Sequence, residues 1–256
     1  MFPQSALMAA LAHAIAPGEA VEFSEREQGH EALARDERHL DRVLRGDGRE
    51  TMTRLWINYP CLVVPSGWVR KAGFKRAVAL SAARGWPVYL RASGGSAVVH
   101  RPGVLNVSRF ESASPENVTI DAAYGGLVEQ LLAALASLGI RAEAGPVPDS
   151  YCDGRFNIRA GGRKLVGTAC RIRRTSSRAA VLAHAAVSVE GDVASDVATV
   201  SAFEAALGMP TAYRADRHCT VEQLIDASAG HGQPYCVFNR STLSGNMNQS
   251  CALATQ

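Results

Sequence analysis

Cysteine is scarce in this 256-residue chain, and its six residues (Cys61, Cys152, Cys170, Cys219, Cys236 and Cys251) are scattered without one C-x-x-C pair. That spacing argues against a disulfide scaffold and gives no support to a zinc site, so most of these thiols are expected free. Long apolar runs are also missing. The longest, Leu127 to Leu138, is interrupted by Glu129 and Gln130 and is too short to span a bilayer. The apolar start, Met1 to Ala16, has no Lys or Arg, so it lacks the charged n-region of a secretory signal, and the expected compartment is the cytoplasm. A formal net charge of +3 falls far short of a nucleic-acid-binding signature. No internal repeat is visible. What is present is an ordinary globular composition, 47% hydrophobic and 20% charged, in a chain long enough to bury one good core.

Residues 1–30 read as an N-terminal extension: an Ala-rich helical start, a Pro17-Gly18 break, then the charged stretch Glu22 to Gln28. A helix near Glu31 turns Leu33, Leu40, Val43 and Leu44 inward and ends at Gly46-Asp47-Gly48. Strand structure runs from Leu55 to Val64, broken by Pro60, and a helix covers Phe74 to Arg84. Strands follow at Val88 to Arg91, Ala97 to His100 and Val104 to Val107. The clearest helix is Ile120 to Leu138, with apolar residues at positions 120, 124, 127, 128, 131, 135 and 138 and a cap at Gly139. Two strands flank Gly161-Gly162, a further strand spans Val181 to Val189, and short helices are expected at Val200 to Leu207 and Val221 to Ala227. Helices interspersed with paired strands indicate an α/β two-layer sandwich with a mixed sheet. Residues 31–200 would form the catalytic core, and residues 201–256 a short helical segment with a polar tail after Asn239.

Two runs carry the chemistry. In the first, Arg91-Ala-Ser93-Gly94-Gly95-Ser96-Ala97-Val-Val-His100-Arg-Pro-Gly103-Val-Leu105-Asn106, the paired glycines permit positive φ and expose backbone N–H groups. With Arg91 at the strand end, such a loop can receive a carboxylate, an acyl phosphate or a developing oxyanion. In the second, Ser150-Tyr-Cys152-Asp-Gly-Arg-Phe-Asn-Ile-Arg-Ala-Gly161-Gly162-Arg-Lys164-Leu-Val-Gly167-Thr168-Ala169, a thiol precedes a hairpin that places a lysine on an apolar strand. Lysine is uncommon there unless partnered, and its ammonium can donate three hydrogen bonds to an acyl carbonyl or phosphate. A two-residue turn at Gly161-Gly162 sets Arg159 opposite Lys164. Cys152 is then seven residues further out, roughly 23 Å along a straight strand. The two can share a site only if the chain folds back near residues 150 to 155, for which Asp153-Gly154 is good turn chemistry. A catalytic thiol needs positive charge or peptide dipoles beside it, and Arg155, Arg163 and Lys164 are near in sequence.

In order and spacing these runs resemble the lipoate/octanoate branch of the biotin/lipoate protein ligase superfamily, most closely its cysteine-dependent octanoyl transferases. The resemblance implies a biotin/lipoate ligase-like catalytic domain. The enzyme would move an octanoyl or lipoyl group from a carrier protein to a lysine of a lipoyl domain. Cys152 would carry the acyl thioester, and Lys164 with loop N–H groups would stabilise the oxyanion. Arg91, Ser93, Gly94, Gly95, Ser96, Ala97, His100, Asn106, Gly167, Thr168 and Ala169 are the candidate substrate contacts. His100 reads equally as a strand-end histidine, and Asn106 as a hydrogen-bonded core amide. Cys170, standing where such proteins more often carry glutamine, is the rival thiol, and Ser96 replaces a third glycine. The Arg171-Ile-Arg173-Arg174 run suits an acidic carrier or is a solvated turn. His184 is either a proton-transfer aid or a packed strand residue. Transfer of this kind requires no cofactor. An ATP-dependent lipoate ligase, using ATP and Mg²⁺, and a silent member that only binds lipoyl domains are the alternatives. Biotin ligation has no Gly-Arg-Gly-Arg-type loop in its favour.

Overall fold

The computed structural model describes residues 3–14, 19–209 and 211–229. The expected polar tail after Asn239, with Cys236 and Cys251, lies outside the described residues. The helices are α1 (Pro3–Ala14), α2 (Gly29–Arg45), α3 (Phe74–Ala83), α4 (Ile120–Ser137), α5 (Val193–Ala206) and α6 (Val221–Ala229). The strands are β1 (Ala20–Glu27), β2 (Thr51–Asn58), β3 (Cys61–Pro65), β4 (Val88–Arg91), β5 (Val98–His100), β6 (Val104–Ala113), β7 (Glu143–Ala144), β8 (Ile158–Ala160), β9 (Arg163–Arg174) and β10 (Ala179–Ser188).

They form a seven-stranded sheet in the order β1-β2-β6-β10-β9-β8-β7 and a three-stranded sheet in the order β4-β3-β5. The mixed character comes from two parallel pairs, β1 with β2 and β3 with β4, among antiparallel neighbours. Period-two alternation on β10 sorts the layers. Ala183, Ala185 and Val187 face the large core with Leu127, Leu131 and Leu135 of α4 and Leu7 and Leu11 of α1. Ala180 and Leu182 face Leu40 and Val43 of α2 on the other side. The expected α/β sandwich with a mixed sheet is therefore present, with α2 as an added layer across the sheet from α4. A second core joins the small sheet to α3 and α5 through Leu62, Val64, Ala77, Val99, Val200 and Phe203.

Capping and side-chain chemistry explain the helix ends. Gly46 stops α2 in the left-handed conformation (φ 81°), its N–H donating back into the last turn. Thr119 caps α4 by accepting from Ala122 N–H at 3.1 Å, and Asp192 caps α5, which starts seven residues before the expected Val200. Ile120, read as part of the apolar face of α4, is the first residue of that helix and is 51% exposed. Of residues 1–30, expected to form an extension, α1 and β1 instead contribute to the body of the fold. Leu7 and Leu11 are core residues, and Ala20–Glu27 pairs with β2 as an edge strand. The charges that made Glu22 to Gln28 look peripheral have partners. Arg54, fully buried on β2, binds Asp36 at 2.6 Å and is paired with Glu27 and Glu22. Asp36 also accepts from Ser108 Oγ at 2.7 Å. Burial dominates there and lifts the Asp36 carboxyl to about 6 despite the Arg54 charge.

Candidate active site

Two features of the backbone bring distant parts of the sequence together where the two cores meet. The first is the turn from Val147 to Asn157. Asp153 Oδ1 accepts from Val147 N–H (2.7 Å) and Gly154 N–H (2.8 Å), and Asn157 donates to the Cys152 carbonyl (2.8 Å) while accepting from Thr168 N–H (2.8 Å). The chain therefore folds back as the Cys152–Lys164 spacing requires, and the hairpin register sets Arg159 opposite Lys164 as expected. The second is the glycine loop after β4. Arg91, buried, donates to the carbonyls of Val63 (2.7 Å), Gly94 (2.8 Å) and Ser96 (2.6 Å), so its guanidinium is the pin around which the loop is wound.

Cys152 lies between these features with φ 50°, a left-handed conformation that non-glycine residues seldom adopt. It is held there by Lys164, whose Nζ donates to the Cys152 carbonyl at 2.8 Å and to the Tyr151 carbonyl, and sits 5.0 Å from the centroid of the Tyr151 ring. The thiol sulfur accepts from Ser96 N–H at 3.5 Å. Both it and Arg91 Nη2 lie 3.0 Å from the point where a Cβ on Gly95 would stand, so a side chain there would crowd both, at a φ of 99° that favours glycine. Gly167 leaves room for the lysine: its Cβ would stand 3.4 Å from Lys164 Nζ.

The electrostatics follow from this geometry. Burial pushes the Cys152 thiol up, but the Lys164 and Arg91 charges and the Ser96 N–H outweigh it and hold the thiol below its ordinary value. Burial, with Arg91 nearby, pulls Lys164 down, against the pull of Cys152 and Asp153. Cys170 has the opposite setting. It lies on β9 across from Ala183, half-buried beside Tyr124, and burial raises it.

The other candidate residues divide. Ser93 bonds His184 Nε2 at 2.7 Å, and both line a cavity of about 390 Å³ with Tyr89, Leu90, Arg91 and Leu182. Burial and the Arg91 charge push His184 down to about 3. Gly94 is exposed at the loop tip, Ala97 is buried in the second core, Thr168 bonds Asn157, and Ala169 is buried on β9 opposite His184. His100 and Asn106 are not brought to the thiol. His100 bonds Asn58 at 2.9 Å and meets Trp56 edge-on, and Asn106 donates to the Trp56 carbonyl at 3.3 Å. The basic run is already engaged: Arg171 with Glu37 (2.8 Å) and Arg173 with Asp41, both on α2, and Arg174 with the Val118 carbonyl (3.0 Å). Sequence reasoning missed Asn157, which ties the Cys152 turn to Thr168. A lone amide midway between thiol and lysine was its signal. It also missed Glu204 and Tyr213, which carry no local pattern. Among the described residues there is no group of three or more His, Cys, Asp or Glu able to hold a metal ion, and no helix long and apolar enough to cross a membrane.

Comparison with known proteins gives concordant matches. Residues 28–227 match the model of the lipoyl protein ligase A/B catalytic domain. An uncharacterized protein of Cupriavidus necator is 36% identical over 198 residues, 72% of this chain and 78% of that protein. An octanoyl-GcvH:protein N-octanoyltransferase of Kyrpidia tusciae is 35% identical over 168 residues, 63% of this chain but only 57% of that protein's own length. Among solved structures, a lipoate-protein ligase A bound with ATP superposes with a TM-score of 0.58 at 19% identity, covering 83% of this chain and 93% of that one, a likeness of fold.

Proposed function

Because this chain belongs to the lipoyl protein ligase A/B catalytic domain family, we propose that it is an acyltransferase working through a thioester on Cys152. The acyl group is octanoyl or lipoyl, the donor an acylated carrier protein, and the acceptor a lysine of a lipoyl domain. The octanoyl transfer named for its relatives supports this reading, but the observation that carries it is the convergence of Lys164, Arg91 and the Ser96 N–H on a single buried thiol. An adenylate-forming ligase has no need of a depressed thiol, whereas a thioester enzyme does.

In the first half-reaction the Cys152 thiolate attacks the acyl carbonyl carbon. The carbonyl π pair moves to oxygen, where the Lys164 ammonium and the loop N–H groups stabilise it. The pair returns, the bond to the carrier breaks, and the carrier's leaving group takes a proton. In the second half, the neutral ε-amine of the acceptor lysine attacks the thioester. It loses a proton, and the Cys152 thiolate departs, leaving an amide. Lys164 must then exchange a backbone carbonyl for the substrate oxygen, which its three donors allow. Ser93, Gly94, Gly95, Ala97, Gly167, Thr168 and Ala169 line the route for the acyl group on this reading. His100 and Asn106 support the sheet behind it. The transfer requires no cofactor.

The test is intact-protein mass spectrometry after incubation with an octanoylated carrier, for wild type, Cys152→Ser and Cys170→Ser. A hydroxylamine-labile octanoyl adduct lost only in Cys152→Ser is the expected result. Absence of an adduct with every donor, together with octanoyl-adenylate formation from ATP, would replace the transferase with a ligase.

A further inference from the structure

Glu204 is a buried carboxylate, 1% exposed, that no arginine or lysine pairs with directly among the described residues. Burying a carboxylate without a cation is costly, so its two oxygens must be engaged by something the fold requires. Oε1 accepts from Ala97 N–H at 3.4 Å, and Oε2 accepts from the Tyr213 hydroxyl at 2.8 Å. Ala97 follows Ser96, whose own N–H is aimed at the Cys152 sulfur. The carboxylate thus grips the peptide unit adjoining the one that meets the thiol. Its mount is rigid: the neighbouring Phe203 stacks on Trp68 at 6.4 Å and meets Phe74 edge-on. Tyr213 meets the ring of Tyr151, the residue before Cys152, edge-on at 6.3 Å. One carboxylate therefore connects α5, the glycine loop and the cysteine turn.

Building on the acyl-transfer reading, we propose that Glu204 and Tyr213 are positioning residues of this site: Glu204 clamps the Ala97 N–H so that the Ser96 N–H points at Cys152, and Tyr213 orients the clamp. Neither touches the acyl group. The charged and titratable groups facing the thiol are Lys164 on β9, Arg91 on β4, Tyr124 on α4, Tyr151 on the turn, and Tyr213. Those facing Glu204 are Tyr213 and, at longer range, Lys71. Loss of the clamp leaves Lys164 and Arg91 in place, with Arg91 still holding the Ser96 carbonyl, but it releases the N–H end of that peptide unit, so the Ser96 N–H donor is less well aligned with the thiolate.

The experiment measures Cys152 alkylation by iodoacetamide from pH 5 to 10, resolved by peptide mass spectrometry, with thermal melts of each variant. Glu204→Leu is expected to raise the apparent thiol pKa by about one unit, a roughly tenfold slower reaction near pH 7. Glu204→Gln, which keeps an acceptor for Ala97 N–H, should stay within about threefold of wild type, and Tyr213→Phe should fall between them. If Glu204→Leu does not fold, Tyr213→Phe, which keeps its ring against Tyr151, carries the test. A wild-type pH profile in folded Glu204→Leu or, failing that, Tyr213→Phe overturns the proposal. So does a Gln variant as slow as Leu, because Gln keeps the acceptor for Ala97 N–H on which the clamp depends. Alkylation needs no acyl donor, so shifted profiles without any octanoyl adduct would uphold the clamp while the acyl-transfer reading alone fails.

Discussion

Gly95→Ala is the smallest change that should separate the chemistry from the fold. At φ 99° an L-residue is strained by about 1–2 kcal/mol. For a domain of this size that lowers the melting temperature by about 2–8 °C. The added methyl would also stand 3.0 Å from both Cys152 Sγ and Arg91 Nη2, closer than such contacts tolerate, so sulfur or guanidinium must retreat by a few tenths of an ångström. A full ångström of misplacement can lower a rate about 10²-fold, so a loss of about tenfold or more in acyl-thioester formation is expected. Gly139→Ala is the matched control: its φ of 74° carries similar strain, but nothing lies within 4 Å of the new methyl. The assay pairs the rate of octanoyl adduct formation, by intact mass, with thermal melts of both variants. Comparable melting losses with a slow adduct only in Gly95→Ala are expected. Equal adduct rates in the two variants would refute the geometry of the loop against the thiol.

Lys164→Met removes the largest charge that depresses the Cys152 thiol and strips the Lys164 donor from the Tyr151 carbonyl, costing about 1–3 kcal/mol when unsatisfied, while the Cys152 carbonyl keeps its bond from Asn157. Cys152 alkylation near pH 7 should slow at least tenfold, and adduct formation should be lost; an unchanged alkylation profile would remove Lys164 from the site. Acid stability is set by His100, His184 and His218, which burial holds neutral with values near 3 against an ordinary 6.5. Their contribution is complete above about pH 6.5 and is lost as pH falls toward 3, at about 4 kcal/mol per pH unit for the three together. Asp36, raised to about 6, works the other way: its contribution is present below its ordinary 3.8 and is lost as pH rises through 6, offsetting about 1.4 kcal/mol per unit in between. Chemical denaturation should therefore show a loss of several kcal/mol between pH 6.5 and pH 4.5, and a flat profile would contradict the burial of these histidines.

The hairpin register at Gly161-Gly162, the need for a turn before it and the pairing of Cys152 with Lys164 were legible in the chain, because each follows from local spacing and turn residues within some twenty positions. The preference for Cys152 over Cys170 as the reactive thiol rested on motif likeness rather than on physics. Tertiary structure alone supplied the surroundings of the sulfur: Arg91, about 60 positions upstream, and the Ser96 N–H reach it only because the loop after β4 meets the Cys152 turn, with Ser93 bonded to His184 on β10 and Ala97 to Glu204 on α5. The same holds for Glu204, one of two acids on an Ala/Val-rich helix, whose partners are Ala97 and Tyr213. It also holds for residues 20–27, where charges facing α2 and Arg54 masked an edge strand. Periodicity records which face of an element avoids water. It carries no information about which distant polar group a buried charge will meet, because that depends on how the layers pack.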